Sequence, residues 1–245
     1  MSTLTPFFAG ATTMASALAA VFMLTGARDP GKHGQFDEIT VGRINIVEPD
    51  GTKRIIISNK AQFPGAFMQG KEIERPDRRS FAGMLFVSEE GTENGGLIQK
   101  GSIDANGKID SGVSLTFDRF RQDQTLQLIN TDSEKTQRTA LIINDVPYYQ
   151  VTSMEDHSRF RAQAEALPAN ERRAFWRKLD DEGRFSKNRI WLGTRNKDSS
   201  LQLKDAQGRT RMTLQVAADG KAEILMYDEA GKVSKSITPT TADAK

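Results

Sequence analysis

The chain has 245 residues, 37% of them hydrophobic and 27% charged, with a formal net charge of +2. That composition suits a folded body with a sizeable core and excludes a disordered chain. With no Cys and only His33 and His157, the chain has no disulfide, no thiol nucleophile, no Cys-ligated metal and no His pair at zinc-ligand spacing. Lys and Arg are interspersed with Asp and Glu, without a basic stripe, so nucleic acid is not an expected partner.

Phe7 to Gly26 carries no charge over twenty residues. As a helix it would span about 30 Å, the thickness of a bilayer's hydrocarbon core. Three readings of residues 1–35 compete: an uncleaved anchor with its linker, a cleaved signal segment, and a buried core helix. Ala17-Leu18-Ala19 offers small-x-small residues for cleavage, but Met1 to Pro6 lacks Lys and Arg. The expected partner of residues 7–26 is a membrane, with the body on its extracytoplasmic side. Arg28 and Lys32 beside Asp29 leave the orientation open. Asp29-Pro30-Gly31 stops any helix and begins the linker.

From Phe36 the pattern turns to β. Ile44-x-Ile46-x-Glu48-Pro-Asp-Gly51 is an alternating strand running into a turn, followed by Arg54 and Ile57. The same frame returns at Met84-x-Phe86-x-Ser88-Glu-Glu-Gly91 and at Leu201-x-Leu203-x-Asp205-Ala-Gln-Gly208. Ile224-x-Met226-x-Asp228-Glu-Ala-Gly231 repeats its first half, and Leu126-x-Leu128-x-Asn130 starts a fifth copy with a longer turn. Alternation gives each strand one apolar face, expected to be buried, and Gly accepts the positive φ of a hairpin turn. Val113, Leu115 and Phe117 are expected to point inward in the same way. The Arg after the turn reads as part of a solvated face or as a cross-strand partner of the acid before it. Lys60 to Ser80 reads as a long loop, packed down through Phe63, Phe67 and Met68.

Ser153 to Lys187 breaks the rhythm. Ser153 and Asp156 form a capping pair, and Phe160, Ala164 and Leu167 share one helical face. After Pro168 a second helix carries Phe175, Trp176 and Leu179 toward Gly183. The pair reads as a cover for the end or edge of a sheet, or as a docking surface.

The expected fold is mainly β: antiparallel hairpins closing into a barrel-like or propeller-like body, with a two-helix insertion and an N-terminal hydrophobic helix. Residues 36–152 form the first part of the body, 153–188 the insertion, 189–237 the completing repeats and 238–245 a polar tail. Closure is expected because serial hairpins leave edges that closure removes.

The segments FDEITVGRINIVEPDG (36–51) and AGMLFVSEEGTENGGLI (82–98), with Ile57-Ser58-Asn59-Lys60, Phe63-Pro64-Gly65 and Leu115-Thr116-Phe117-Asp118, resemble a group of uncharacterised bacterial proteins. In that group a hydrophobic N-terminal segment precedes a β-rich body. The resemblance covers residues 36–147 and implies the same layout, with no activity attached. Where the group reads Phe-Asp-Gln-Tyr, this chain has Phe117-Asp118-Arg119-Phe120, so no Tyr hydroxyl stands there.

No nucleotide-binding loop, Gly-x-Ser-x-Gly elbow or calcium loop is present, so no cofactor or metal is expected. The turn from Glu89 to Gly96 is the most polar and flexible of the repeats. Glu90, Thr92, Glu93 and Asn94, with Asp118 and Arg119 from another strand end, are the candidate binding residues for a protein or polar ligand. The resulting expectation is a membrane-anchored, non-catalytic binding module. The alternatives are a hydrolase working with paired carboxylates among Glu90, Glu93, Asp118 and Asp123, and a structural envelope scaffold.

Overall fold

The computed structural model describes residues 34–239. Residues 7–26, and the anchor, signal and core-helix readings with them, lie outside the described residues, as does most of the polar tail. Among the described residues no helix is long and apolar enough to cross a membrane. The chain divides into two compact units, Met1–Thr40 and Val41–Lys245. Every element below belongs to the second.

Twelve strands form one antiparallel sheet, each paired with the strand that precedes it in the sheet. They are β1 (Arg43–Val47), β2 (Lys53–Ser58), β5 (Ala82–Val87), β6 (Glu93–Ile103), β7 (Ile109–Asp118), β8 (Gln124–Ser133), β9 (Gln137–Asp145), β10 (Lys187–Arg195), β11 (Asp198–Lys204), β12 (Thr210–Val216), β13 (Ala222–Tyr227) and β14 (Val233–Ile237). The segment expected as a long loop instead contains its own small hairpin, β3 (Ala66–Met68) with β4 (Lys71–Ile73), between two 3-10 turns.

The repeated turns close alike. Gly51, Gly91, Gly208 and Gly231 donate to the carbonyls of Glu48, Ser88, Asp205 and Asp228 at 2.9, 3.0, 2.9 and 3.2 Å. Each Gly lies at a φ between +77° and +89°. The register slips by one residue just before each turn, between Ile46 and Val47, Phe86 and Val87, Leu203 and Lys204, and Met226 and Tyr227. This is a tight turn followed by a left-handed Gly and a bulge, the geometry that lets a short loop match the twist of its strands. Arg54 bonds Glu48 across the first hairpin at 2.6 Å, as its place after the turn suggests, but at the Gly208 copy Asp205 is met by Arg209 instead, and Arg211, at the equivalent place, has a buried nitrogen without a partner.

Between turns the register holds one aliphatic residue in line on every strand. The row runs Ile44, Ile57, Met84, Leu97, Leu115, Leu128, Leu141, Leu192, Leu201, Leu214, Ile224 and Ile237. A second row beside it runs Ile46, Ile55, Phe86, Gly95, Phe117, Leu126, Ile143, Ile190, Leu203, Met212, Met226 and Lys235. Closure into a ring, expected from the serial hairpins, is not found. The sheet is continuous rather than bladed, and β1 and β14 each have a single neighbour in it. Both edge strands are only five residues long, and short edge strands are one way in which an open sheet tolerates its edges without closing.

The compact core sits on the opposite face, at the N-terminal end of the sheet. Ile56, Leu85 and Val87 are buried there under Phe67 of the β3–β4 hairpin, with Phe63 and Ile98 packed against them. Helices α1 (Met154–Ala166) and α2 (Ala169–Asp181) follow β9. The capping box forms as expected: the Asp156 amide donates to Ser153 Oγ at 3.1 Å and the Ser153 amide to Asp156 Oδ2 at 2.8 Å. Phe160, Trp176 and His157 gather on Phe185. The Gln122 side chain, from the β7–β8 turn, donates to the carbonyl of Thr152. The helical pair therefore packs at a strand-turn end of the sheet.

Candidate functional site

The turn between β5 and β6 is tied to two other segments. The Gly70 amide donates to the carbonyl of Gly91 at 3.0 Å, and the Gln69 amide to Thr92 Oγ1 at 3.0 Å. Thr92 is buried, and its hydroxyl donates to Glu90 Oε1 at 2.7 Å. Glu90 also accepts from both forks of Arg121, with Nε at 2.7 Å. The Arg121 bond first, and that from Thr92, hold the Glu90 carboxyl below the usual carboxylate range. Arg121 itself sits at φ +55°, a costly conformation for a non-glycine residue. Its guanidinium lies 5.1 Å from the Tyr149 ring.

Glu93 is met by Arg78 from the second 3-10 turn. Two parallel N–H···O bonds of 2.8 Å join them, and Arg78 also donates to the carbonyl of Gly65 at 3.0 Å. Their side chains are only 14% and 15% exposed. Asn94 is the extra residue of the bulge, since Phe86 pairs with Gly95 and Val87 with Glu93, and it is exposed. The two glycines after it have a steric reason. A Cβ on Gly95 would lie 2.3 Å from the Thr116 carbonyl oxygen, and one on Gly96 2.4 Å from that of Met84. They serve close backbone approach within the sheet.

Asp118 ends β7, the other neighbour of β6. One of its carboxylate oxygens is buried with no hydrogen-bond partner. Burial pushes its carboxyl up to about 7, with further upward pushes from the charges of Glu93 and Asp123 and a smaller opposing pull from Arg78. Arg119 turns away, its guanidinium stacked 4.5 Å from the Tyr148 ring. The structure thus bonds Glu90 to Thr92 and Arg121, holds Glu93 separately on Arg78, sets Asp118 within electrostatic range of Glu93, and places Arg119 on an aromatic ring. Arg78, Arg121 and Gln69 are the members that sequence spacing misses. They lie in loops, and no periodicity links a loop Arg to its carboxylate. Chemically, a carboxyl raised to about 7 near an Arg-held carboxyl group can hold or release one proton. The adjoining groove, about 420 Å³, is lined by Asp50, Lys53, Phe67, Gln69, Glu89 and Glu90, and by neither Glu93 nor Asp118. Among the described residues no group of three or more His, Asp or Glu is placed to hold a metal ion.

A second candidate surface is the aliphatic face itself. Strand alternation was expected to bury it, and the structure overturns that. Val113 and Phe117, expected to point inward, are each 45% exposed, as is Leu128, and Leu192 is 49% exposed. Elsewhere in the sheet the opposite face is the more enclosed: on β2 Ile57 is exposed beside buried Ile56 and Ser58, and on β12 Leu214 beside buried Thr213. Two shallow grooves run along this face, about 520 Å³ over β7–β10 and about 680 Å³ over β10–β14, sharing Leu192, Gly193 and Thr194. Their walls are mainly Leu, Val and Ile with Ser, Thr and Asn, and Glu223 is the one charged residue lining either. A contiguous apolar face of this kind is far larger than the scattered apolar residues of an ordinary surface.

Compared with known families and curated proteins, the chain matches no family model and is similar to no curated protein.

Proposed function

We propose that this protein is a non-catalytic interaction module, held at a membrane surface through residues 7–26, whose working surface is the aliphatic face of the sheet. The observation that carries this reading is the unbroken row of one Leu, Ile or Met on each of twelve strands, with most members more than a third exposed. A solvent-facing strand surface is ordinarily polar, so a face kept aliphatic at every step is suited to being covered. The membrane part of the reading rests on the twenty uncharged residues of the sequence.

Paired substitutions test it. If the face is covered in the working protein, Leu128→Asp and Leu192→Asp each place an unpaired charge in an apolar contact. They should then lower the unfolding free energy at least ~2 kcal/mol more than Leu128→Thr and Leu192→Thr do. If Asp and Thr variants differ by less than ~1 kcal/mol, which strand propensity alone can produce, the face is a solvent surface and the proposal is wrong.

A carboxylate-dependent hydrolase is the second reading. It is favoured by Asp118, whose carboxyl is raised to about 7 near Arg-paired Glu93, because acid–base work needs two carboxyls in unlike environments. Turnover of glycoside or ester substrates that disappears in Asp118→Asn would establish it.

A further inference from the structure

We infer that the occupant of the aliphatic face is a second copy of this chain, packed face to face; this rests on the reading of that face as the working surface. Three observations support it. The first is charge. In a two-fold, isologous contact each patch meets itself, so any charge near the axis meets its own like. On the central strands β7 to β11 the two aliphatic rows and the next row beside them (Val113, Asn130, Thr139, Thr194 and Ser199) carry only Val, Leu, Ile, Phe, Ser, Thr and Asn; charge on this face begins one row further out, at Asp132, and Lys235, on edge strand β14, is the one charged residue in the two aliphatic rows. A face built for an acidic or basic partner would carry the complementary charge at its centre.

The second is size. Eleven inter-strand steps of ~4.8 Å give a face about 53 Å long, and three side-chain rows two residues apart make it ~14–20 Å wide. Full apposition would bury on the order of 1,600–2,000 Å² over both copies, a standard stable interface, and even about half of that reaches the ~1,000 Å² such a contact needs. The third is form. Two sheets pack through their side-chain faces at ~10 Å with strands nearly aligned, and shallow grooves walled by Leu, Val and Ile suit interdigitation with an identical surface. The pair would give each copy the second layer that a β domain requires and that a single sheet lacks.

Because the chain has no Cys, a single introduced thiol reports contacts without background. Leu128 and Leu141 are paired neighbours at the midpoint of the twelve-strand order, where a two-fold axis would pass. The full-length chain carrying Leu128→Cys or Leu141→Cys, in its native membranes, is oxidised with copper phenanthroline and resolved on a non-reducing gel. The expected result is a band at twice the monomer mass for both. Gln202→Cys, on the opposite face, should give none. Adding Leu192→Asp to Leu141→Cys should reduce the dimer band at least about fivefold, with the β-type circular dichroism spectrum retained. The inference is overturned if neither central thiol cross-links while that spectrum is retained, or if Gln202→Cys cross-links as well as they do. Absent cross-linking together with the Asp-over-Thr stability loss would mean that another partner or lipid covers the face. Absent cross-linking without that loss would mean that the face is bare, and the functional reading would fall with the dimer.

Discussion

Asp118 is the residue at which sequence and environment conflict most. A strand-end Asp beside a turn is ordinarily solvated and ionised, but here one oxygen is buried without a partner and the charge of Glu93 lies close. Its folded-state carboxyl, at about 7, stands above the value near 3.8 of an exposed Asp. The folded state therefore binds this proton more tightly than the unfolded chain does. The associated stability is fully present below about pH 4 and is lost as pH rises through 7, where the buried carboxylate must ionise. Asp118→Asn removes the ionisation while keeping the shape. The variant should be more stable than the parent by ~1–3 kcal/mol at pH 8 and should lose the parent's decline in stability between pH 4 and 8. Urea titrations at a series of pH values check this; a parent whose stability rises with pH across that range would show Asp118 to be ionised throughout. Glu93, by contrast, is matched by the bidentate Arg78. Their pair is the kind whose disruption on one side costs much more than its presence contributes.

At the scale of the hairpin, the repeated frame was legible because its parts are local. Alternation, the acid or Ser before the turn and the Gly at its end lie within eight residues, and each copy closes as that spacing suggests. The helical pair was legible for the same reason: Ser153 and Asp156 are three apart, and the apolar positions fall one turn apart. What was not legible depends on other segments. The three-residue strands of the β3–β4 hairpin are too short for alternation to register, so their sequence reads as loop. Gly91 shows the difference between local and distant constraint. It shares its left-handed φ with Gly231, but a Cβ on Gly91 would lie 2.5 Å from the Gly70 amide nitrogen, whereas one on Gly231 meets open space. Gly231→Ala should therefore cost only the backbone strain, ~1 kcal/mol. Gly91→Ala should cost at least ~2 kcal/mol and detach the β3–β4 turn. Thermal unfolding, together with faster amide exchange at Gln69 and Gly70 in the Gly91 variant, measures both. Equal losses at the two sites would show that the Gly70 contact does not matter.

For the molecule as a whole, alternation told which residues share a face but not whether that face is covered. A strand pattern has the same period whether its apolar side meets a second sheet, a partner or water. Ring closure was the natural inference from serial hairpins. It fails because β1 and β14, five residues each, remain short edges with one neighbour apiece, and no single hairpin reveals whether the first and last of twelve strands meet. Aliphatic residues paired in line on all twelve strands make the apolar face continuous from one edge of the open sheet to the other. The claim that this face is covered in the working protein is tested most directly by the labelling rate of single thiols in the full-length chain in its native membranes. Leu97→Cys, Leu192→Cys and Asn106→Cys, the last in an exposed turn, are treated with a polyethylene-glycol maleimide before and after denaturation. If the face is covered, the two face thiols react at least about tenfold more slowly than the Asn106 thiol in the folded protein, and equally fast once unfolded. Face thiols that label as fast as Asn106→Cys in the folded protein would contradict that claim.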